Sequence, residues 1–293
     1  NKIEAQLRQE VQSLLALAEQ TDEAAVPDGM DVPAEIARRE DRLEAIEQAK
    51  AKIEQRAAER HQAQQQEFDA MQAKRQAQRD AGKKPRGKDP EPPQIGPKDS
   101  DQVNLTDEQS RIMAVSGGGF EQSYNAQAAV DTQSMLVVSA HVTQAFNDKR
   151  EIVPALDKLA ALPAVLGQAQ TLLADTGYFS AANVRACELH DIEPLLSMGR
   201  ESHHMPVLER FAADTPAPQT DDPVAKMAHR LGTKAGRALY GLRKQTVEPV
   251  FGIIKRVMGW RQMSMRGLEQ AGREWSLVTM AWNIKRLHVL RAA

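Results

Sequence analysis

The chain has 293 residues, with 38 Lys and Arg against 40 Asp and Glu, a length and balance that fit a soluble globular protein of one large domain or two. A single cysteine, Cys187, excludes an internal disulfide framework and a cysteine-rich zinc site. No apolar run is long enough for a membrane span and no signal peptide opens the chain, so a cytoplasmic location is expected.

The near-neutral total hides a polarity. Residues 226–293 hold 14 Lys and Arg against three acids, Glu248, Glu269 and Glu274, so this quarter carries +11 and the remainder −13. Positive charge confined in this way is the footprint of a polyanion partner, most often nucleic acid.

Along the chain, Ile3, Leu7, Val11, Leu14 and Ala18 recur at helical spacing, and a polar, proline-containing break follows at residues 21–33. Residues 34–81 lack Gly and Pro and place Ile36, Leu43, Ile46, Ile53 and Ala57 at near-heptad positions, with Lys50 as a polar interruption; they predict a long helix packed on a partner helix. Residues 82–100 have linker composition. Thr106 and Gln109 stand at capping-box spacing.

A different period begins near Phe120, and Ala126, Ala128 and Val130 alternate with Asn125, Gln127 and Ala129. A turn at residues 131–134 and a Val-rich run at 135–143 complete a predicted hairpin. Asn147 or Asp148 can cap a helix carrying Ile152, Leu156 and Leu159, with Pro154 in its first turn. A short strand at 171–174, a helix capped by Ser180 and a strand at 194–198 follow. Residues 199–223 read as an irregular connection, Asp222-Pro223 as a helix start, and the rest as helical.

Two carboxylates stand out. Asp175 ends the strand Thr-Leu-Leu-Ala, the place where open sheets line a ligand crevice; an Asx turn before a helix is the alternative. Glu248 lies in a helix whose Val247, Val250, Phe251, Ile254, Val257 and Met258 form a buried stripe, and Glu248, Gly252, Lys255 and Gly259 form a row beside it. Pro249 predicts that this helix begins near Glu248, where an acid also favours the helix dipole without any function. Together the two acids fit a divalent-metal site for phosphoryl chemistry, and oxygen donors suit magnesium. Asp131 is a candidate third acid, although the turn reading of Asp-Thr-Gln-Ser competes. The adjacent pair His203 and His204 has no partner at ligand spacing, and Trp260 beside Arg261 could stack on a base.

Tyr240, Arg243, Glu248 and Lys255, together with residues 34–39, 82–87, 101–113, 117–131, 173–178 and 246–287, resemble insertion-sequence transposases of the DDE superfamily from bacteria. The gap of four residues between Arg243 and Glu248 is one longer than the usual signature. The resemblance implies an α/β fold, an RNase H-like mixed sheet flanked by helices over residues 101–293, preceded by a helical, coiled-coil insertion at 1–81 and the linker at 82–100. Asp175 matches the second acid of the family and Glu248 the third. The first acid is expected on an Asp-Gly-Thr strand ahead of Asn1, so this chain is expected to begin inside the insertion.

The activity so implied is metal-dependent cleavage at the element's ends and strand transfer into target DNA, with Mg2+ or Mn2+ held by Asp175 and Glu248. Tyr240, Arg243, Lys244, Lys255, Arg256, Arg261, Arg266 and Arg273 are the expected DNA-binding residues. The expected partners are double-stranded DNA, both terminal inverted repeats and target, and further copies of the chain on that DNA at the nucleoid; no membrane is involved. The alternatives are a catalytically inactive, transposase-derived DNA-binding fragment and a coiled-coil adaptor.

Overall fold

The computed structural model describes residues 2–20, 31–82, 84–85, 87–115, 118–199 and 213–292. His203, His204, Pro206 and the break at 21–30 lie outside them. The chain forms two compact units, Asn1–Glu108 and Gln109–Ala293. Among the described residues no helix is long and apolar enough to cross a membrane.

The first unit is built on α1 (Lys2–Gln20) and α2 (Val32–Asp80). The Asp31 carboxylate accepts from the Ala34 N–H at 3.0 Å and Pro33 sits in the first turn, so the start of α2 is fixed by a side-chain cap and a residue with no N–H to satisfy. Arg8 pairs with Glu47 and Arg39 with Glu10, each at 3.0 Å, which sets the two helices antiparallel. Lys50, an interruption in the apolar repeat, pairs with Glu4.

The Pro/Gly-rich stretch after α2 does not hang free. Asp89 meets Arg75 at 2.7 Å, Arg60 grips both oxygens of Asp101 at 2.7 and 2.8 Å, and Arg56 donates to the Glu108 carbonyl, so the segment runs back along α2. The Arg60 guanidinium holds the Asp101 carboxyl below the usual carboxylate range. The capping-box spacing at Thr106 starts no helix; the Asn104 side chain takes the Thr106 N–H at 2.9 Å instead.

The second unit opens with a small antiparallel hairpin, β1 (Arg111–Ala114) and β2 (Phe120–Ser123), that the sequence reading did not include. The expected order then appears: β3 (Asn125–Val130), β4 (Val137–Thr143), α3 (Ile152–Ala160), β5 (Thr171–Ala174), α4 (Ala181–Leu189) and β6 (Glu193–Leu196). β3 and β4 are antiparallel, and β5 and β6 are parallel. Each of these four strands pairs with one other strand only among the described residues. Helices α5 (Pro223–Gly232), α6 (Lys234–Arg256) and α7 (Leu268–Ala292) complete the unit.

Helix α6 starts at Lys234, far earlier than Pro249 predicted, and carries Pro249 inside it. The ring leaves the carbonyl of Gln245 without its helical donor, and both residues are exposed, where an unpaired carbonyl costs least.

Two apolar clusters hold the unit together. One joins Ile152 and Leu156 of α3 to Val184 and Cys187 of α4, Leu196 of β6 and Met227 of α5. Burial pushes the Cys187 thiol up to about 12, which leaves it an inert core group. The other joins Val137, Val250 and Ile254 to Trp275 and Trp282, with Ala126, Ala128 and Val130 of β3 packed against them. Side chains of α7 also bond the turn of the β3–β4 hairpin: Trp282 Nε1 donates to the Met135 carbonyl at 2.9 Å and Arg286 Nε to that of Ser134 at 2.7 Å.

Candidate active-site cleft

A cleft of about 210 Å³ opens between β3 and β5. Consecutive residues of both strands line it, Gln127 to Val130 on one side and Thr171 to Asp175 on the other, so the strands present their edges to it rather than a face. Helix α3 contributes Ile152 and Ala155, and α6 contributes Arg243, Thr246 and Val247.

Asp175 sits at the carboxyl end of β5, half exposed. Its Oδ1 accepts from the Gly177 N–H at 2.9 Å, so the Asx turn is real, and Oδ2 faces Arg243 Nη1 at 3.9 Å. One oxygen shapes the turn and the other is turned toward Arg243 in the cleft lining.

A second carboxylate joins it. A Cβ placed on Gly177 would lie 3.0 Å from Asp175 Oδ1 and 3.3 Å from Asp148 Oδ2, so the two acids face each other across a residue that has no side chain. Asp148 Oδ1 accepts from Asn125 Nδ2 at 2.8 Å and Gln127 Nε2 at 2.7 Å, which leaves Oδ2 free of those bonds. Tyr178 donates to Gln127 Oε1. Burial raises the Tyr178 pKa, and the charges of Asp148 and Asp175 add to the shift, so this phenol stays a donor. Asp148 looked from sequence like a helix cap. Its partners lie 21 and 23 residues away, and the available signal was the polar pair Asn125 and Gln127, two positions apart on a strand otherwise rich in alanine.

Deeper in the cleft, His141 Nε2 and Glu151 Oε2 are 2.7 Å apart. Ser139 Oγ, His141 Nδ1 and Arg243 Nε are buried with no hydrogen-bond partner among the described residues, a costly arrangement for polar groups.

Glu248 is exposed and is not among the residues lining the cleft. Its row is exposed throughout rather than at the core edge; Gly259 lies beyond the helix end, and Val257, expected in the buried stripe, is 65% exposed at the helix cap. Among the described residues no three His, Cys, Asp or Glu side chains are grouped to hold a metal ion. The donors that do converge, Asp148 and Asp175, are hard oxygens of the kind magnesium takes.

Asp131 is a turn residue. Its Oδ2 accepts from the Ser134 N–H at 2.7 Å and hydroxyl at 2.6 Å, and although burial opposes ionisation, these bonds and the backbone N–H groups of the turn hold its carboxyl below the ordinary aspartate value.

Of the expected DNA-binding residues, Tyr240 is buried at 8% exposure beneath Arg243, whose guanidinium lies 5.7 Å from the ring centre, so it packs rather than reaching a phosphate. Lys244, Lys255, Arg256, Arg261, Arg266 and Arg273 are exposed. Arg273 pairs with Glu269 at 2.6 Å. Trp260 packs tilted against Trp275, ring centres 5.1 Å apart, inside the second cluster and is not free to receive a base.

The family described as "Transposase DDE domain" matches residues 91–284, more than half of the chain. No curated protein and no solved structure matches it.

Proposed function

Since the chain belongs to the transposase DDE family, we propose that it is the catalytic part of a DNA transposase, which cleaves DNA at the ends of an insertion sequence and transfers the strands into target DNA. The carrying observation is the group at the carboxyl end of β5, where Asp175 meets Asp148 across Gly177 with Arg243 beside them. Asp175 and Asp148 would hold the divalent ion, magnesium or manganese, with Glu248 as the family's third acid. The bound ion would supply electrostatic stabilisation at the attacked phosphate.

The chain's own residues do the rest. Arg243, too far from Asp175 for a hydrogen bond, offers a positive charge to the phosphate beside the cut. Lys244, Lys255, Arg256, Arg261, Arg266 and Arg273 contact the duplex backbone without reading sequence. The working setting is cytoplasmic DNA, with more than one copy on paired ends.

The test is nicking of a labelled terminal-repeat duplex in magnesium. Wild-type protein nicks it, and Asp175→Asn and Glu248→Gln each lower the rate at least about 100-fold, beyond what losing an outer-shell partner of a metal site costs, without loss of DNA binding. Nicking that both substitutions leave intact would sink the assignment. A second reading, DNA binding without cutting, is favoured by the position of Glu248 outside the cleft lining. Duplex binding with no nicking at any magnesium concentration would select it.

A further inference from the structure

The connection between α6 and α7, residues 257–267, has no helix or strand, yet it is tied at several points. Five of its hydrogen bonds converge on one carboxylate. Glu274, on the second turn of α7, accepts from Trp260 Nε1 at 2.8 Å, from the Ser264 N–H at 2.9 and 3.0 Å to its two oxygens, from the Ser264 hydroxyl at 2.9 Å and from the Met265 N–H at 2.9 Å. The loop's inner residues Met258, Trp260 and Met263 pack on the second apolar cluster. At its start, Met258 and Trp260 donate their N–H groups to the carbonyls of Ile253 and Ile254 at 3.0 and 3.2 Å. Gly259 at φ +79° and Gly267 at φ +85° make the two bends in the left-handed region that glycine favours.

The outer face of the same loop carries Arg261 and Arg266, with Arg256 at the end of α6, all exposed and without an ion pair among the described residues. A flexible loop would lose conformational entropy in bringing these guanidinium groups to phosphates; a loop already fixed does not. A carboxylate within a basic segment would ordinarily weaken attraction to a polyanion. Here its oxygens point inward, to loop N–H groups and an indole.

We propose that residues 257–267 form a preformed phosphate-contacting loop of the DNA-binding surface, and that Glu274 is its positioning residue. The inference rests on the DNA reading above. It also links the loop to the cleft. Trp260 packs tilted against Trp275 with ring centres 5.1 Å apart, Trp275 Nε1 donates to the Gln127 carbonyl at 2.8 Å, and the Gln127 side chain bonds Asp148. A duplex seated on the loop is thereby registered against the acids by packed and hydrogen-bonded contacts.

The two explanations of Glu274 predict opposite signs. As a mere surface charge, its neutralisation tightens DNA binding; as a positioning residue, its neutralisation weakens binding. The experiment measures affinity for a fluorescent duplex of arbitrary sequence over a salt series, for wild type, Glu274→Gln, Arg261→Ala/Arg266→Ala and the three changes combined. Glu274→Gln is expected to weaken binding at least about threefold and to flatten the salt slope by about one to two phosphate contacts, each worth roughly one unit. The combined variant is expected to resemble the double arginine variant.

A loss of folded protein would lower the binding-competent fraction and leave the slope unchanged, so the slope separates positioning from stability. Trp260→Phe keeps the ring and removes one donor, and is expected to shift the slope the same way by less; it carries the test if Glu274→Gln does not fold. Unchanged or tighter binding in Glu274→Gln, or in Trp260→Phe where it stands in, would overturn the inference while leaving the DNA reading intact. Absence of salt-dependent duplex binding by wild type would remove the DNA reading itself.

Discussion

The cleft between β3 and β5 and the loop at 257–267 lie on either side of Trp275 and are built in opposite ways. In the loop, both oxygens of Glu274 are saturated by donors. In the cleft, Ser139 Oγ, His141 Nδ1 and Arg243 Nε are buried without partners among the described residues. A buried polar group left unpaired costs about 1–3 kcal/mol, so the cleft keeps its groups at the expense of stability while the loop gains stability from the same kind of bond. The difference teaches that the loop's geometry is held by the chain's own bonds before anything binds, whereas the cleft keeps donors and acceptors that its own residues do not use.

Trp275 is where the comparison breaks most severely. It is fully buried, stacks on Phe251 and packs tilted against Trp260, and its indole N–H holds the β3 backbone at Gln127. Trp275→Ala is expected to destabilise the second unit by about 3–5 kcal/mol in urea melts, the range for deleting a buried aromatic. Trp275→Phe keeps most of the packing and loses the bond to Gln127, and should cost less. If the two variants melt alike, the hydrogen bond and not the packing joins loop to cleft.

How far the sequence could be read divides along the same line between local and distant causes. The β3–β4 hairpin, the strand ending at Asp175, the Ser180 cap and the Asp222-Pro223 helix start all follow from residues within a few positions of one another, and all appear where expected. Asp148 was hidden because what sets it beside Asp175 at the edge of the cleft is Asn125, Gln127 and Gly177, none of them its neighbour in sequence. The prolines and glycines after α2 spelled a linker, but arginines on α2 pair with Asp89 and Asp101 and hold the stretch along the helix. Pro249 spelled a helix start, but exposure of Gln245 lowers the cost that would have made it one. Glu274 read as one acid among many cations, since nothing local says that its donors sit nine to fourteen residues upstream.

Asp148→Asn sharpens the cleft side of the comparison. Asparagine still presents an oxygen to Asn125 and Gln127, so the hydrogen-bonded frame survives and only the charge facing Asp175 is lost. If Asp148 shares a cation with Asp175, nicking should fall by about 10- to 100-fold and need more magnesium to recover, as losses around metal sites do. Identical magnesium titrations for the variant and wild type would make Asp148 a purely structural acceptor.

The smallest effect belongs to Asp131. Its carboxylate is consumed by the turn, with Oδ2 bonded to the N–H and hydroxyl of Ser134, and it stands with the satisfied groups although it lies on the cleft's own hairpin. Asp131→Asn should change nicking by less than about twofold and lower stability by about 1 kcal/mol, the worth of a typical hydrogen bond. Because the folded carboxyl titrates below its unfolded value, its contribution is present above the ordinary aspartate range and is lost as pH falls through the depressed value. Urea melts of the two proteins should therefore differ at neutral pH and converge in acid. A large loss of nicking with unchanged melts would move Asp131 from the turn to the active site, and with it the division between satisfied and unsatisfied groups on which the comparison of cleft and loop depends.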